Sequence, residues 1–240
     1  MTEEELRARE RIERSKARRQ KQLRMNILMC AGLAVLTIIV IVMLTAMMRR
    51  DKKPAANFGD VQTQKSDVSV PMPVVKQDLL PLNPYSRPGT ALTEVNGVVI
   101  HYTANPGTTA KQNRNYFAGL AESHTTSASS HYVIGLEGEI LQCIPCEEIA
   151  YASKERNVDT IAIECCIEND SGRFNSQTYD ALVQLTAWLV CRYGLDSEDV
   201  LRHYDVTGKN CPKYYVENES SWRLFKSDVW EYIKKEGRSL

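Results

Sequence analysis

The chain has 240 residues, with 30 basic and 30 acidic side chains and no formal net charge. That length suits one domain of ordinary size plus additional segments. The charge is unevenly spread: residues 1–53 carry 13 basic and 6 acidic side chains, a balance of +7, so the remainder carries −7. An acidic remainder argues against nucleic acid as a partner, because phosphate binding needs a positive face.

In chain order, residues 1–26 form a charged arm. Glu3, Glu4, Glu5, Glu10 and Glu13 are interleaved with arginines, which fits a short solvated helix. From Ile27 to Met48 no charge interrupts the run. Such a run crosses a hydrocarbon core of roughly 30 Å at ~1.5 Å per residue. A secretory signal has a shorter apolar region and a small-residue cleavage site, whereas this run ends in Thr45-Ala46-Met47-Met48-Arg49-Arg50. We expect a single-pass membrane anchor over residues 27–48. Arg11, Arg14, Lys16, Arg18, Arg19, Lys21 and Arg24 precede it, against Arg49, Arg50, Lys52 and Lys53 after it. The larger basic cluster stays cytoplasmic and contacts anionic headgroups, so the C-terminal part is expected outside the cell membrane.

Residues 49–90 read as a proline-containing extracytoplasmic linker, with Pro54, Pro71, Pro73, Pro81, Pro84 and Pro88. Its end, residues 83–89, can pack on the domain or float. Residues 91–240 read as the globular domain. Val95 to Tyr102 predicts a buried strand. Thr109 to Glu122 predicts a helix with Tyr116, Phe117 and Leu120 inward. His131–Ile134 and Glu139–Ile144 predict a hairpin turning near Gly138, and Thr160–Ile167 a second buried strand. Ser176 is placed to N-cap a helix whose Leu182, Leu185 and Leu189 share a face, with Gly194 closing it. Val200 to Tyr204 predicts a short strand or a helix-flanking segment, and Trp222 to Lys235 a last helix. The mixture predicts an α/β fold, a central mixed β-sheet flanked by helices, preceded by the transmembrane helix.

The chemistry sits in two strings. His101 ends a buried strand, where a side chain can point into a cleft. His203 and Cys211 lie eight residues apart across Thr207-Gly208, a loop able to bring both to one ion. Each alone reads as a buried core residue. Together they supply two imidazoles and a thiolate, the ligand count of a catalytic zinc whose fourth position stays open for water. Glu164 is a carboxylate on an otherwise apolar strand, costly there without a partner or a task.

His101-Tyr102-Thr103-Ala104, Ser130-His131-Tyr132-Val133-Ile134, Thr160-Ile161-Ala162-Ile163-Glu164 and His203…Gly208-Lys209-Asn210-Cys211-Pro212 together resemble the zinc-dependent N-acetylmuramoyl-L-alanine amidases of type 2. Peptidoglycan recognition proteins and a phage lysozyme share that fold. The resemblance covers roughly residues 80–235. It implies Zn2+ held by His101, His203 and Cys211, Glu164 acting on the metal-bound water, and Lys209 steadying the oxyanion. The implied substrate is peptidoglycan, cut between the lactyl group of N-acetylmuramic acid and L-alanine. Several relatives place a tyrosine before the second-strand histidine. Ser130 stands there in this chain, which shifts acid–base work toward Glu164. His131 is expected to support the site rather than react. The alternatives are a receptor that binds muropeptides without cleaving them and a metal-stabilised envelope scaffold. The complete ligand set, with Glu164 and Lys209, favours the enzyme.

With Cys30 in the apolar run and Cys211 on the metal, Cys143, Cys146, Cys165, Cys166 and Cys191 remain. A single C-x-x-C is weak support for a metal or redox pair. Cys165 and Cys166 point to opposite faces of a strand. These five are expected to be small buried apolar residues.

Overall fold

The computed structural model describes residues 68–239. The expected charged arm at 1–26 and membrane span at 27–48 lie outside the described residues. Among the described residues no helix is long and apolar enough to cross a membrane.

Six strands build one mixed sheet: β2 (Val75–Gln77), β3 (Val98–Tyr102), β4 (Tyr132–Ile134), β5 (Ile140–Gln142), β6 (Ile161–Cys165) and β7 (Val200–Arg202), in the order β2-β5-β4-β6-β3-β7. Only β4 and β5 pair antiparallel, as the predicted hairpin; the other pairs are parallel. A separate short ribbon joins β1 (Val68–Ser69) to β8 (Arg238–Ser239). The central strands are continuous apolar runs because both of their faces are covered.

Strand alternation divides the core. On one face Val98, Ile100, Ile134, Ile161 and Ile163 meet two helices, α2 (Ser176–Tyr193) and α5 (Glu219–Glu236), through Leu182, Leu185, Leu189, Trp222, Phe225 and Val229. On the other face Val133, Leu141 and Cys166 meet α1 (Ala110–Ser123) through Ala110 and Phe117. Two short helices, α3 (His203–Thr207) and α4 (Lys213–Glu217), complete the fold.

Local chemistry explains the boundaries. The Thr109 hydroxyl accepts the Gln112 N–H, and the Gln112 side chain accepts the Thr109 N–H, a reciprocal cap that starts α1. The inward stripe of α1 is Ala110, Asn113, Phe117 and Leu120. Tyr116, expected inward, is one position off that stripe and lies 55% exposed. Asn175 rather than Ser176 caps α2, its Oδ1 accepting the Thr178 N–H at 2.9 Å. The Asn175 amide also bonds Leu136 O and Glu168, contacts a serine could not reach. Gly194 closes α2 at φ 63, as expected.

Residues 68–90 are not the spacer expected within 49–90; they belong to the folded unit. β2 extends the sheet beside β5, and Leu80 is 1% exposed. Arg114 donates to Asp78 O and Leu79 O. Arg87 grips Glu148 through two hydrogen bonds of 2.8 and 2.7 Å. The prolines flank the paired stretch rather than interrupt it, so the ladder survives. The six described cysteines are all buried, in line with their expected apolar role, Cys211 aside.

His131, expected to support the site rather than react, braces its strand. Its Nδ1 accepts the Ala162 N–H at 3.0 Å and its Nε2–H donates to Glu148 O at 2.9 Å. That arrangement fixes the neutral tautomer, and burial pushes the ring down to about 4. An unfolded histidine titrates near 6.5, so this contribution is complete above that pH and is lost as pH falls toward 4. The loss amounts to at most about 3 kcal/mol. Urea unfolding followed by tryptophan fluorescence should give a midpoint that falls between pH 6.5 and 4 in the wild-type chain. His131→Gln, which keeps a donor and an acceptor without a titrating ring, should flatten that fall; parallel curves for the two proteins would contradict the assignment.

Candidate metal centre

The parallel ladder sets the first two donors side by side. Ile100 of β3 pairs with Arg202 of β7, so the next residues along, His101 and His203, emerge together. Their rings sit 4.6 Å apart, centroid to centroid, at 59°. Arg202 locks this junction. It donates to Asp205, Glu219 and the Tyr215 carbonyl, and its guanidinium lies between the rings of Tyr204 and Trp222. Helix α3 then stops at Gly208, whose φ of 75 is a conformation glycine adopts at no steric cost. The chain turns back, and the Tyr204 N–H bonds Cys211 O at 2.9 Å. Cys211 Sγ thereby comes within 3.9 Å of His101 Nδ1. One donor atom from each of His101, His203 and Cys211 lies within 4.8 Å of the others, and all three residues are buried.

The donor states suit a cation. Burial drives His101 well below the ordinary imidazole range, with His203 beside it adding to the effect. Burial, then Lys209 and Lys154, brings His203 down to about 4. Both rings are therefore neutral near pH 7, as metal ligation requires. His203 Nδ1 is buried with no hydrogen-bond partner, a cost a native fold carries only for a reason. Burial, reinforced by Glu164, pushes the Cys211 thiol up to about 12. A coordinating cation reverses that penalty, because it deprotonates a thiol outright. Two imidazoles and one thiol with a bare ring nitrogen among them fit a zinc-type ion. The distal nitrogen of His101, Nε2, lies 3.3 Å from the buried Ser153 Oγ.

Glu164 is the register partner of His101 across β3 and β6, so the two side chains share one face. Its Oε2 is buried and unpartnered. Burial raises its pKa to about 8, and the Lys209 ammonium pulls against that shift. Lys209 itself lines an open cavity of about 600 Å³ with His203, Tyr151, Lys154 and Asn157.

All five residues expected at the site from the sequence are thus brought together. Ser130 is not part of it: its buried hydroxyl bonds Tyr132 O and Ala162 O. Sequence reading missed Tyr151, Ser153, Lys154 and Asn157. They sit on a connecting segment with no period and no recognisable spacing, and only the fold aims them at His101 and His203.

Comparison with known proteins agrees with this geometry. The family profile described as N-acetylmuramoyl-L-alanine amidase matches residues 91–214, just over half of the chain. The N-acetylmuramoyl-L-alanine amidase CwlL of Bacillus licheniformis is 36% identical over 168 residues, covering 65% of this chain and 46% of that protein. BlyA of Bacillus subtilis (strain 168), with the same enzyme name, is 33% identical over 190 residues, covering 70% and 50%. The chain spans about half the length of these curated relatives. The solved catalytic domain of XlyA superposes with a TM-score of 0.55 at 26% identity, over 65% of this chain and 99% of that one. The chain belongs to the N-acetylmuramoyl-L-alanine amidase family.

Proposed function

We propose that this protein is a membrane-anchored, zinc-dependent peptidoglycan hydrolase that cleaves the amide between N-acetylmuramic acid and L-alanine. The observation that carries the reading is one buried face presenting three metal donors, the bare His203 Nδ1 among them, next to the unpartnered oxygen of Glu164. His101, His203 and Cys211 would hold the ion. Zinc in such a site supplies Lewis acidity and lowers the pKa of a water toward ~7.

The chain's own groups do the rest. Glu164 offers Oε2 as the base that takes the proton from the attacking water. Lys209 places an ammonium where charge develops on the carbonyl oxygen, an interaction worth roughly 3–4 kcal/mol when well placed. Glu164 then returns the proton to the departing alanine nitrogen. Ser130 contributes no acid in place of the tyrosine found in several relatives, so both proton steps fall to Glu164. Ser153 holds His101 by its distal nitrogen, which leaves Nδ1 turned toward the metal position.

The uncharged run at 27–48 and the basic arm before it support an anchor with the N-terminus cytoplasmic and the amidase domain outside the cell membrane. Peptidoglycan lies on that side, so anchor and substrate fall in one compartment.

Four measurements test the reading. The purified chain should carry about one zinc by atomic absorption, and Cys211→Ser should lose most of it; full metal in that variant would remove Cys211 from the ligand set. Glu164→Gln should keep its zinc while losing hydrolysis. For the wild type, mass analysis of digested peptidoglycan should find new N-terminal L-alanine and no new reducing sugar ends, whereas reducing ends would mean glycosidic cleavage. Ser153→Ala should weaken zinc binding ~10–100-fold in a chelator competition, and unchanged affinity would leave Ser153 with no part in holding the ligand.

A further inference from the structure

The amidase reading leaves Lys154 without a task, yet the fold goes to some length to place it. Lys154 opens the short 3-10 turn Lys154–Val158 and adopts φ 50, the left-handed region that a side chain disfavours. The turn is tied from within. Asn157 Oδ1 accepts the N–H groups of Ala152 at 3.0 Å and Ser153 at 2.6 Å. Ser153, fixed by that knot, reaches His101. The strained lysine and the support of a metal ligand are therefore consecutive residues of one rigid loop. Strain kept in such a loop points to a functional side chain.

The surroundings say what that side chain awaits. Lys154 and Lys209 line the same open cavity beside His203, and no aspartate or glutamate lines it with them. Because His203 lines that cavity with them, both lysines open onto the same space as a candidate metal ligand. Among the described residues neither lysine forms an ion pair. Two uncompensated cations on one concave wall, in a chain whose residues 54–240 balance to −7, attract and orient an anion. The oxyanion occupies Lys209 only during the reaction. Lys154 is left for a charge the substrate carries permanently. A single flexible ammonium is a point-charge partner for a carboxylate. On the peptide side of the scissile amide, carboxylates are the anionic groups on offer.

We propose that Lys154 is a second substrate-binding cation, and that the site selects muramoyl peptides in which the residue after alanine bears a free carboxylate. This rests on the amidase reading and names the substrate class within it. The contact forms in the bound ground state as well as in the transition state, so its loss appears mainly in KM.

The test uses the full zinc-loaded chain and two muramoyl tripeptides, identical except that the α-carboxyl of the second residue is free in one and amidated in the other. The wild-type protein should favour the free acid about tenfold in kcat/KM, through KM. Lys154→Gly should bring that ratio close to one, and Lys154→Arg should retain it. The glycine variant suits the purpose because glycine adopts φ 50 freely, so the turn keeps its shape while losing its charge. Equal wild-type efficiency on the two peptides, or a Lys154→Gly loss that is the same on both, would overturn the proposal and leave the amidase intact. Cleavage of neither peptide by the wild-type protein would overturn the amidase reading, and this proposal with it.

Discussion

The parallel pairing of β3 between β6 and β7 is the constraint from which the site follows. Parallel neighbours in register present equivalent residues at the same height and on the same face. His101 and Glu164 are register partners, and Ile100 with Arg202 leads directly to His101 and His203. One sheet therefore delivers a metal donor, a second donor and a carboxylate to a single edge of the domain. A slip of one residue between β3 and β6 would turn Glu164 away from His101 and into the apolar core under α2 and α5. That core, built from Ile100, Ile161, Ile163 and the Trp222 and Phe225 rings, makes the slip prohibitive. Hydrophobic burial on one face of the sheet is what gives the polar face its precision.

That polar face carries a debt the apolar face has to cover. A carboxylate raised to about 8, a thiol raised to about 12 and two imidazoles held neutral are groups that water would solvate better. Between them they leave buried atoms, His203 Nδ1 and Glu164 Oε2, without a hydrogen bond. A divalent cation among the donors relieves the thiol and the ring nitrogen together. It also supplies the positive charge that an ionised Glu164 lacks, apart from Lys209. An ion held by this candidate donor group would couple metal binding to stability.

How much of this could be read from the chain alone depended on where each residue sits. His101 and Glu164 belong to apolar strands where a polar side chain stands out, and His203 and Cys211 belong to a compact string with a turn glycine between them. Those signals are local and survive without a structure. The hairpin and the Gly194 helix stop were equally legible, for turn chemistry is local too. The N-terminal boundary was not. Residues 68–90 look like a linker because their prolines mask a three-residue edge strand, and only the neighbouring β5 and the Asp78–Arg114 pair reveal it. Asn175 displaced Ser176 as a cap because Leu136 and Glu168, distant in sequence, hold its amide. His131 stands in a motif and was legible as a supporting residue, but its partners were not: both of its nitrogens are spent on Ala162 and Glu148.

The loop from Tyr151 to Asn157 was invisible for a different reason. It has no hydrophobic period and no pair of ligand-type residues, and its meaning lies wholly in what it is pressed against. The sheet fixes where His101 and Glu164 stand, since neither can move without breaking the core. The loop has no such obligation: Asn157 stabilises it internally, and Tyr151, Ala152, Lys154 and Asn157 line the cavity rather than pack into the sheet. Residues such as Lys154 can therefore vary without disturbing the ligand geometry. In the proposed reading, a rigid strand would carry the chemistry and an internally tied loop the discrimination, dividing the two tasks between elements that tolerate change very differently. In this chain Ser153 is where they meet: through that one hydroxyl, the loop that would choose the substrate also holds the ring that would bind the metal.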